Sequence, residues 1–193
     1  MEKYILLDRD GTINVEKDYL YKIEDFDYEE GVLEALEILK EKGYKFAVIT
    51  NQSGIGRGYY TEEEFLELTD FLRNDLEKRG IIIEKTYYCP HHIDGIGKYK
   101  IDCECRKPGT LLFEKAVEEL NIDTKNSYMV GDKVSDLIPA HKLGIKPVFL
   151  KTGHGREADL KKLSFDFMEF NSLLEFAKKL KWKNKENLSD KKK

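Results

Sequence analysis

The chain has 193 residues, 36% charged and 40% hydrophobic, enough for one covered core and short for two. That balance excludes an unfolded or membrane-embedded protein, and no apolar run approaches the ~18 residues of a transmembrane helix. A formal charge of −4 argues against a nucleic-acid partner, because phosphate-backbone binding rests on a cationic excess.

Taken in order, short apolar runs rich in β-formers alternate with helical patterns. Lys3–Leu7 reads as a strand ending at Asp8, Lys45–Thr50 as one ending at Asn51, and Ile81–Tyr88 as one ending at Cys89. Ser127–Val130 ends at Gly131-Asp132, and Lys146–Leu150 at Lys151-Thr152. Between them lie helical stripes. One is Val32, Leu33, Leu36 and Leu39, closed by Gly43; another is Phe65, Leu68, Leu72 and Leu76. Thr61 with Glu64 makes a capping box for the second. Leu111–Leu120 and Leu137–Leu143 supply two more, the last ended by Gly144. Continuous rather than alternating apolar strands, each followed by a helix, predict an α/β fold with a parallel sheet covered on both faces.

Ligands of such sheets bind at the carboxyl ends of the strands, so the residues just past each strand carry the chemistry. Asp8 and Asp10 lie two apart, which in an extended segment sends both carboxylates to one side. Gly11 then permits a sharp turn and Thr12 adds a hydroxyl. Close carboxylates call for a cation, most simply Mg²⁺, with Asp132 as a third anionic oxygen and Asp136 one helical turn later. Thr50, Asn51 and Ser53 offer hydrogen bonds and Lys107 a point charge, a set suited to phosphoryl transfer. Single aspartates at strand ends also serve as ordinary turn and cap residues; the ordered set carries the phosphoryl-transfer reading.

"LLDRDGTIN", "VITNQSG", Lys107 before a helix and "MVGDKVSD" together resemble the four ordered motifs of the haloacid dehalogenase superfamily of phosphatases. The resemblance spans Lys3 to about Leu150. It implies a Rossmann-like sheet ordered 3-2-1-4-5 without a large cap domain. It implies Asp8 as nucleophile through an aspartyl-phosphate, and Asp10 as the acid for the leaving oxygen and then the base for water. It also implies Mg²⁺ on the Asp8 and Asp132 side chains and the Asp10 carbonyl, with Thr50 and Lys107 stabilising the phosphoryl group.

All three cysteines fall in "CPHHIDGIGKYKIDCECRKPG". Cys89-x-His91 and Cys103-x-Cys105 provide three thiolates and one imidazole, the closed tetrahedral set of a structural Zn²⁺. The one-residue gaps are tighter than zinc-finger spacing. His92 should point away from His91, and His141 and His154 read as ordinary helix and loop residues. A zinc clip ending at Cys105 would steady Arg106 and Lys107. Odd, clustered thiols and a start unlike a signal peptide predict a cytoplasmic protein.

A C-x-H…C-x-C loop resembles two groups within the superfamily, the heptose 1,7-bisphosphate 7-phosphatases and the histidinol-phosphate phosphatases. "TNQSGIGRGYYTEEEF" and Arg106 in "CRKPG" are similar to the heptose group. That resemblance implies a small sugar bisphosphate as substrate, in heptose nucleotide precursor biosynthesis, with Asp18, Tyr19, Asn51, Gln52, Ser53, Arg57, Arg106 and Lys133 as contacts. Arg57, Arg106 and Lys133 suit a second phosphate; Glu16 and Asp18 would suit the amine and imidazole of histidinol phosphate, so that substrate stays open. A zinc-stapled interaction module without catalysis is the reading from another class. "SGIGRG" fits neither phosphate-loop spacing and reads as a flexible loop carrying Ser53 and Arg57. The expected organisation is one domain over residues 1–180, a Lys-rich flexible tail over 181–193, and a monomer.

Overall fold

A computed structural model describes residues 1–155 and 157–181. Its centre is a six-stranded, all-parallel sheet ordered β3-β2-β1-β4-β5-β6. The strands are β1 (Tyr4–Leu7), β2 (Lys45–Asn51), β3 (Ile83–Cys89), β4 (Tyr128–Gly131), β5 (Lys146–Leu150) and β6 (Met168–Phe170). The five strands expected from the sequence stand in the expected order. The sixth was not anticipated: it is an edge strand of three residues with charged Glu169 at its centre, too short and too polar to register as an apolar run.

The interiors of β1, β2, β4 and β5 are buried on both sides, and the side chains of β1 and β2 alternate between two cores with the period of two that a pleated strand imposes. Ile5, Leu7, Phe46 and Val48 join one core with Leu36 and Leu39 of α1 (Val32–Glu41). Leu72 and Leu76 of what we label α3 (Glu62–Lys78) join that core too. Tyr4, Leu6, Ala47 and Ile49 join the other with Leu112, Phe113 and Ala116 of α4 (Leu111–Glu119) and Ala140 of α5 (Val134–Lys142). The α3 start carries the anticipated capping box: the Glu64 N–H donates to Thr61 Oγ1 at 3.1 Å and the Thr61 N–H to Glu64 Oε2 at 2.7 Å. After β5 come α6 (Glu157–Leu160) and α7 (Leu173–Lys179), whose Leu173, Phe176 and Ala177 complete the first core.

One local expectation changes. The glycine-rich "SGIGRG" is not a flexible loop but a short helix, α2 (Ser53–Arg57), with Gly54, Ile55 and Gly56 buried. Its glycines answer to close packing: a Cβ on Gly54 would sit 2.1 Å from the Tyr60 ring, and one on Gly56 2.5 Å from the Pro90 carbonyl oxygen. Among the described residues no helix is long and apolar enough to cross a membrane. The Lys-rich tail lies, beyond Lys181, outside the described residues.

Candidate active site and metal-binding loop

Parallel strands end their backbone pairing on one edge, and the groups placed there have no partner within the sheet. A cavity of about 380 Å³ opens at that edge. Its lining includes Asp8, Asp10, Asp18, Tyr19, Thr50, Asn51, Gln52, Ser53, Arg106, Lys107 and Lys133. Arg57 is not part of that lining: its guanidinium turns to His92 at 3.1 Å and Asp94 at 3.8 Å. Asp132 lies beneath the cavity, fully buried.

Lys107 is the hinge of the floor. Its ammonium donates to Asp8 Oδ1 at 2.9 Å and to the Ile49 carbonyl at 2.7 Å, and lies in ion-pair contact with Asp136 Oδ1 at 2.6 Å. Burial opposes its charge, but Asp136 and Asp8 outweigh that, and its pKa stands above the ordinary lysine value. Asn51 holds the Lys107 backbone at both ends, accepting its N–H at 2.9 Å and donating to its carbonyl at 3.0 Å. The Asn51 amide is thereby committed to the lysine.

Carboxylate oxygens of Asp8, Asp132 and Asp136 lie within 4.8 Å of one another, all buried. Asp132 Oδ2 accepts the His154 N–H at 3.0 Å, whereas Oδ1 is buried with no partner. Burial first, then the charge of Asp8, pushes the Asp132 carboxyl up to about 8 against the pull of Lys133. Burial likewise raises Asp136 to about 6, opposed by Lys107. Three crowded carboxyls, one lysine in their midst and an orphaned oxygen make a cradle that a hard divalent cation fits.

Asp10 is held apart from this cluster. Its carboxylate accepts from Arg9 Nε at 3.1 Å and Arg9 Nη2 at 2.9 and 3.0 Å, from Asn14 at 3.0 Å and from Gln52 at 2.9 Å. Burial works to raise its pKa, but Arg9 and these hydrogen bonds win and lower it. Arg9 itself is 1% exposed, a charged residue in the core with no apolar run around it to mark it for burial. Only its position between two aspartates hinted at a partner.

At the mouth, Asp18 and Tyr19 occupy left-handed backbone at φ 42° and 64°, and Tyr19 meets Tyr59 edge-on with centroids 4.6 Å apart. Lys133 Nζ pairs with Glu16 at 3.1 Å and lies 3.9 Å from Asp132. Arg106 lines the cavity with its Nη1 buried and unpartnered. Glu16, Tyr60, Ser135, Asp136 and His154 also line it. His154 sits in the turn after β5, as a loop residue should: its backbone N–H reaches Asp132, and its exposed ring lies 3.9 Å from Asp18. His141 does behave as expected, stacking on Phe165 at 4.1 Å.

The second cluster is Cys89, His91, Cys103 and Cys105, whose ligand atoms also lie within 4.8 Å of one another. Cys89 and Cys105 sulfurs are 3.0 Å apart, Cys103 and Cys105 3.0 Å, Cys89 and Cys103 3.5 Å. His91 Nδ1 is 3.2 Å from Cys105 and 3.9 Å from Cys89. Thiolates tetrahedral on zinc at ~2.3 Å would stand slightly wider, so the cage fits the ion with a small expansion. Burial pushes the Cys89 and Cys105 thiols up, so metal binding would release protons. His92 faces away, as expected, toward Arg57.

A family model described as HAD-hydrolase-like matches residues 104–175. The D-glycero-beta-D-manno-heptose-1,7-bisphosphate 7-phosphatase of Pasteurella multocida is 47% identical over 84% of this chain and 89% of its own length. The D-glycero-alpha-D-manno-heptose-1,7-bisphosphate 7-phosphatase of Campylobacter jejuni is 38% identical over 94% and 98%. The crystal structure of D,D-heptose 1.7-bisphosphate phosphatase from B. bronchiseptica, complexed with magnesium and phosphate, superposes with a TM-score of 0.80 at 28% identity, covering 92% of this chain and 97% of that one. The chain belongs to the heptose-1,7-bisphosphate 7-phosphatase family of the haloacid dehalogenase-like hydrolases.

Proposed function

We propose that the chain hydrolyses the 7-phosphate of D-glycero-D-manno-heptose 1,7-bisphosphate with Mg²⁺ at the carboxylate cradle and Zn²⁺ in the cysteine loop. The observation that carries the chemistry is the buried Asp8–Lys107–Asp136 bridge beside an unpartnered Asp132 oxygen, at the floor of a cavity large enough for a sugar phosphate. The names of the relatives carry the substrate.

On this reading an Asp8 oxygen attacks phosphorus, and Asp10, ionised in the free site, takes up a proton as the phosphate anion enters and passes it to the leaving sugar oxygen. Asp10, then a carboxylate, removes a proton from the water that attacks the aspartyl-phosphate. Asp8, Asp132 and the Asp10 carbonyl would hold Mg²⁺, which when bound supplies Lewis-acid polarisation of a phosphoryl oxygen. Lys107 and the Thr50 hydroxyl bond the remaining phosphoryl oxygens. Ser53 and the Asp18-Tyr19 turn face the sugar, and Arg106 with Lys133 meets the second phosphate, the unpartnered Arg106 Nη1 being a donor in need of an anion. Arg57, turned to His92, acts on the substrate only by swinging away from that contact. Zinc would tie Cys105 to Cys89 at the end of β3 and so fix the Arg106-Lys107 backbone.

The test compares phosphate release from the α and β heptose bisphosphates and from histidinol phosphate, with and without Mg²⁺. Mg²⁺-dependent preference for a heptose bisphosphate is expected. Preference for histidinol phosphate would overturn the substrate, and release unaffected by Mg²⁺ removal would overturn the metal.

A further inference from the structure

Gln52 was expected to touch substrate, yet every hydrogen-bonding position of its side chain is already used. Nε2 donates to Asp10 Oδ2 and to Thr50 Oγ1, both at 2.9 Å. Oε1 accepts from the Tyr60 hydroxyl at 2.6 Å and lies 3.4 Å from Arg9 Nη2. The residue is 2% exposed. A primary amide has two N–H donors and one oxygen with two lone pairs, so this environment saturates it.

The environment also dictates which way round the amide sits. A flipped amide would press its NH₂ against the Arg9 guanidinium, which has no acceptor, and its oxygen against the Asp10 carboxylate. With Tyr60 and Arg9 at the oxygen end, the NH₂ end must face Asp10 and Thr50. Thr50, having accepted from Gln52, keeps its own proton free to donate into the cavity.

From this we infer that Gln52 is a positioning residue for proton transfer by Asp10, and that the buried Tyr60 hydroxyl fixes its orientation. One planar amide spans the acid/base carboxylate and the hydroxyl that bonds the phosphoryl group, so it sets the distance between proton donor and reaction centre. The inference rests on the assignment of Asp10 as acid and base. In the step it serves, the Asp8–phosphorus bond forms, the phosphorus–sugar oxygen bond breaks, and the Asp10 proton moves to the departing oxygen.

A sugar alkoxide needs that proton; p-nitrophenolate leaves without it. kcat/KM reports events up to departure of the leaving group, so a fault in proton donation appears on the sugar ester and fades on the aryl ester. Tyr60→Phe should lower kcat/KM on heptose bisphosphate about tenfold and on p-nitrophenyl phosphate less than about threefold, a fraction of the ~10²–10⁴ that general acids supply. Gln52→Leu should widen the gap to about thirtyfold, and Asp10→Asn sets its ceiling. Equal losses on both substrates, or no loss on the sugar ester, would overturn the inference. Tyr60→Phe keeps the ring packed on Gly54, so it tests the idea even if Gln52→Leu melts early. Should Asp10→Asn show no gap, the assignment of Asp10 fails instead. Should the wild type refuse heptose bisphosphate, only the substrate fails, and the ratio is read on whichever sugar phosphate it accepts.

Discussion

The two candidate metal centres among the described residues are built in opposite ways. The thiol cage draws its ligands from residues 89–105, two close pairs at the ends of one loop. The carboxylate cradle draws on Asp8 after β1 and on Asp132 and Asp136 after β4, brought together by the direct pairing of β1 with β4. The first holds groups that a soft ion would ionise. The second holds like charges that repel until a cation arrives, and it keeps one buried lysine as a partial substitute. A local cage stabilises its own loop; a long-range cradle carries strain that the whole sheet must hold.

The largest expected effect tests the cradle. Asp8→Asn preserves shape and removes the nucleophile, so Mg²⁺-dependent phosphate release should fall by at least ~10³-fold, with the fold intact by circular dichroism. Activity within tenfold of wild type would exclude an Asp8 mechanism.

Lys107→Ala comes next and adds a stability cost. It leaves Asp8 and Asp136 buried without their counter-charge, a change that costs about 3–5 kcal/mol where a buried pair is broken. At about 2–4 °C per kcal/mol for a chain this size, the melting temperature without Mg²⁺ should drop by roughly 6–20 °C. Added Mg²⁺ should recover part of the loss but not the activity. An unchanged melt would show that the bridge is not formed in solution.

Cys103→Ser probes the other centre and should act more locally. Protein purified without added metal should carry about one zinc equivalent, and the variant much less. Its activity should fall by about 10–100-fold, the usual effect of losing an orienting partner, because Lys107 follows closely in the chain. No zinc, with three freely titrating thiols in the wild type, would sink the cage.

The contrast between local and long-range assembly also explains what the sequence could disclose. Cys89, His91, Cys103 and Cys105 were legible from spacing alone. Asp8, Asp10, Thr50 and Asp132 were legible because apolar runs end at or beside them and parallel strands present such ends together. Arg9, Asn14 and Tyr60 were not, since their roles depend on side chains meeting across buried space: an arginine beside two aspartates reads as a surface ion pair until Phe65 and Leu20 enclose it. The backbone contact of His154 with Asp132 escaped for a different reason. It comes from the turn after β5, and no periodicity in the sequence reports where a turn folds back. The short β6 escaped because an edge strand needs little apolar surface.

The smallest predicted effect runs in the opposite direction to the others. In the metal-free protein the Asp132 carboxyl stands at about 8, well above its ordinary value of 3.8. A carboxyl raised on folding favours the folded state at low pH, and that contribution is lost as pH climbs from about 4 through about 8. Asp132→Asn removes the titrating group while keeping its shape, and its new NH₂ can donate toward Asp8. Without Mg²⁺ the variant should melt a few degrees above wild type at pH 8.5, and the difference should shrink toward pH 5. With Mg²⁺ the order should reverse, because only the wild type offers the Asp132 oxygen to the ion and gains stability from binding it. A variant that melts lower than wild type at every pH, with or without Mg²⁺, would show that Asp132 is held by its hydrogen bond to His154 more firmly than it is repelled by Asp8.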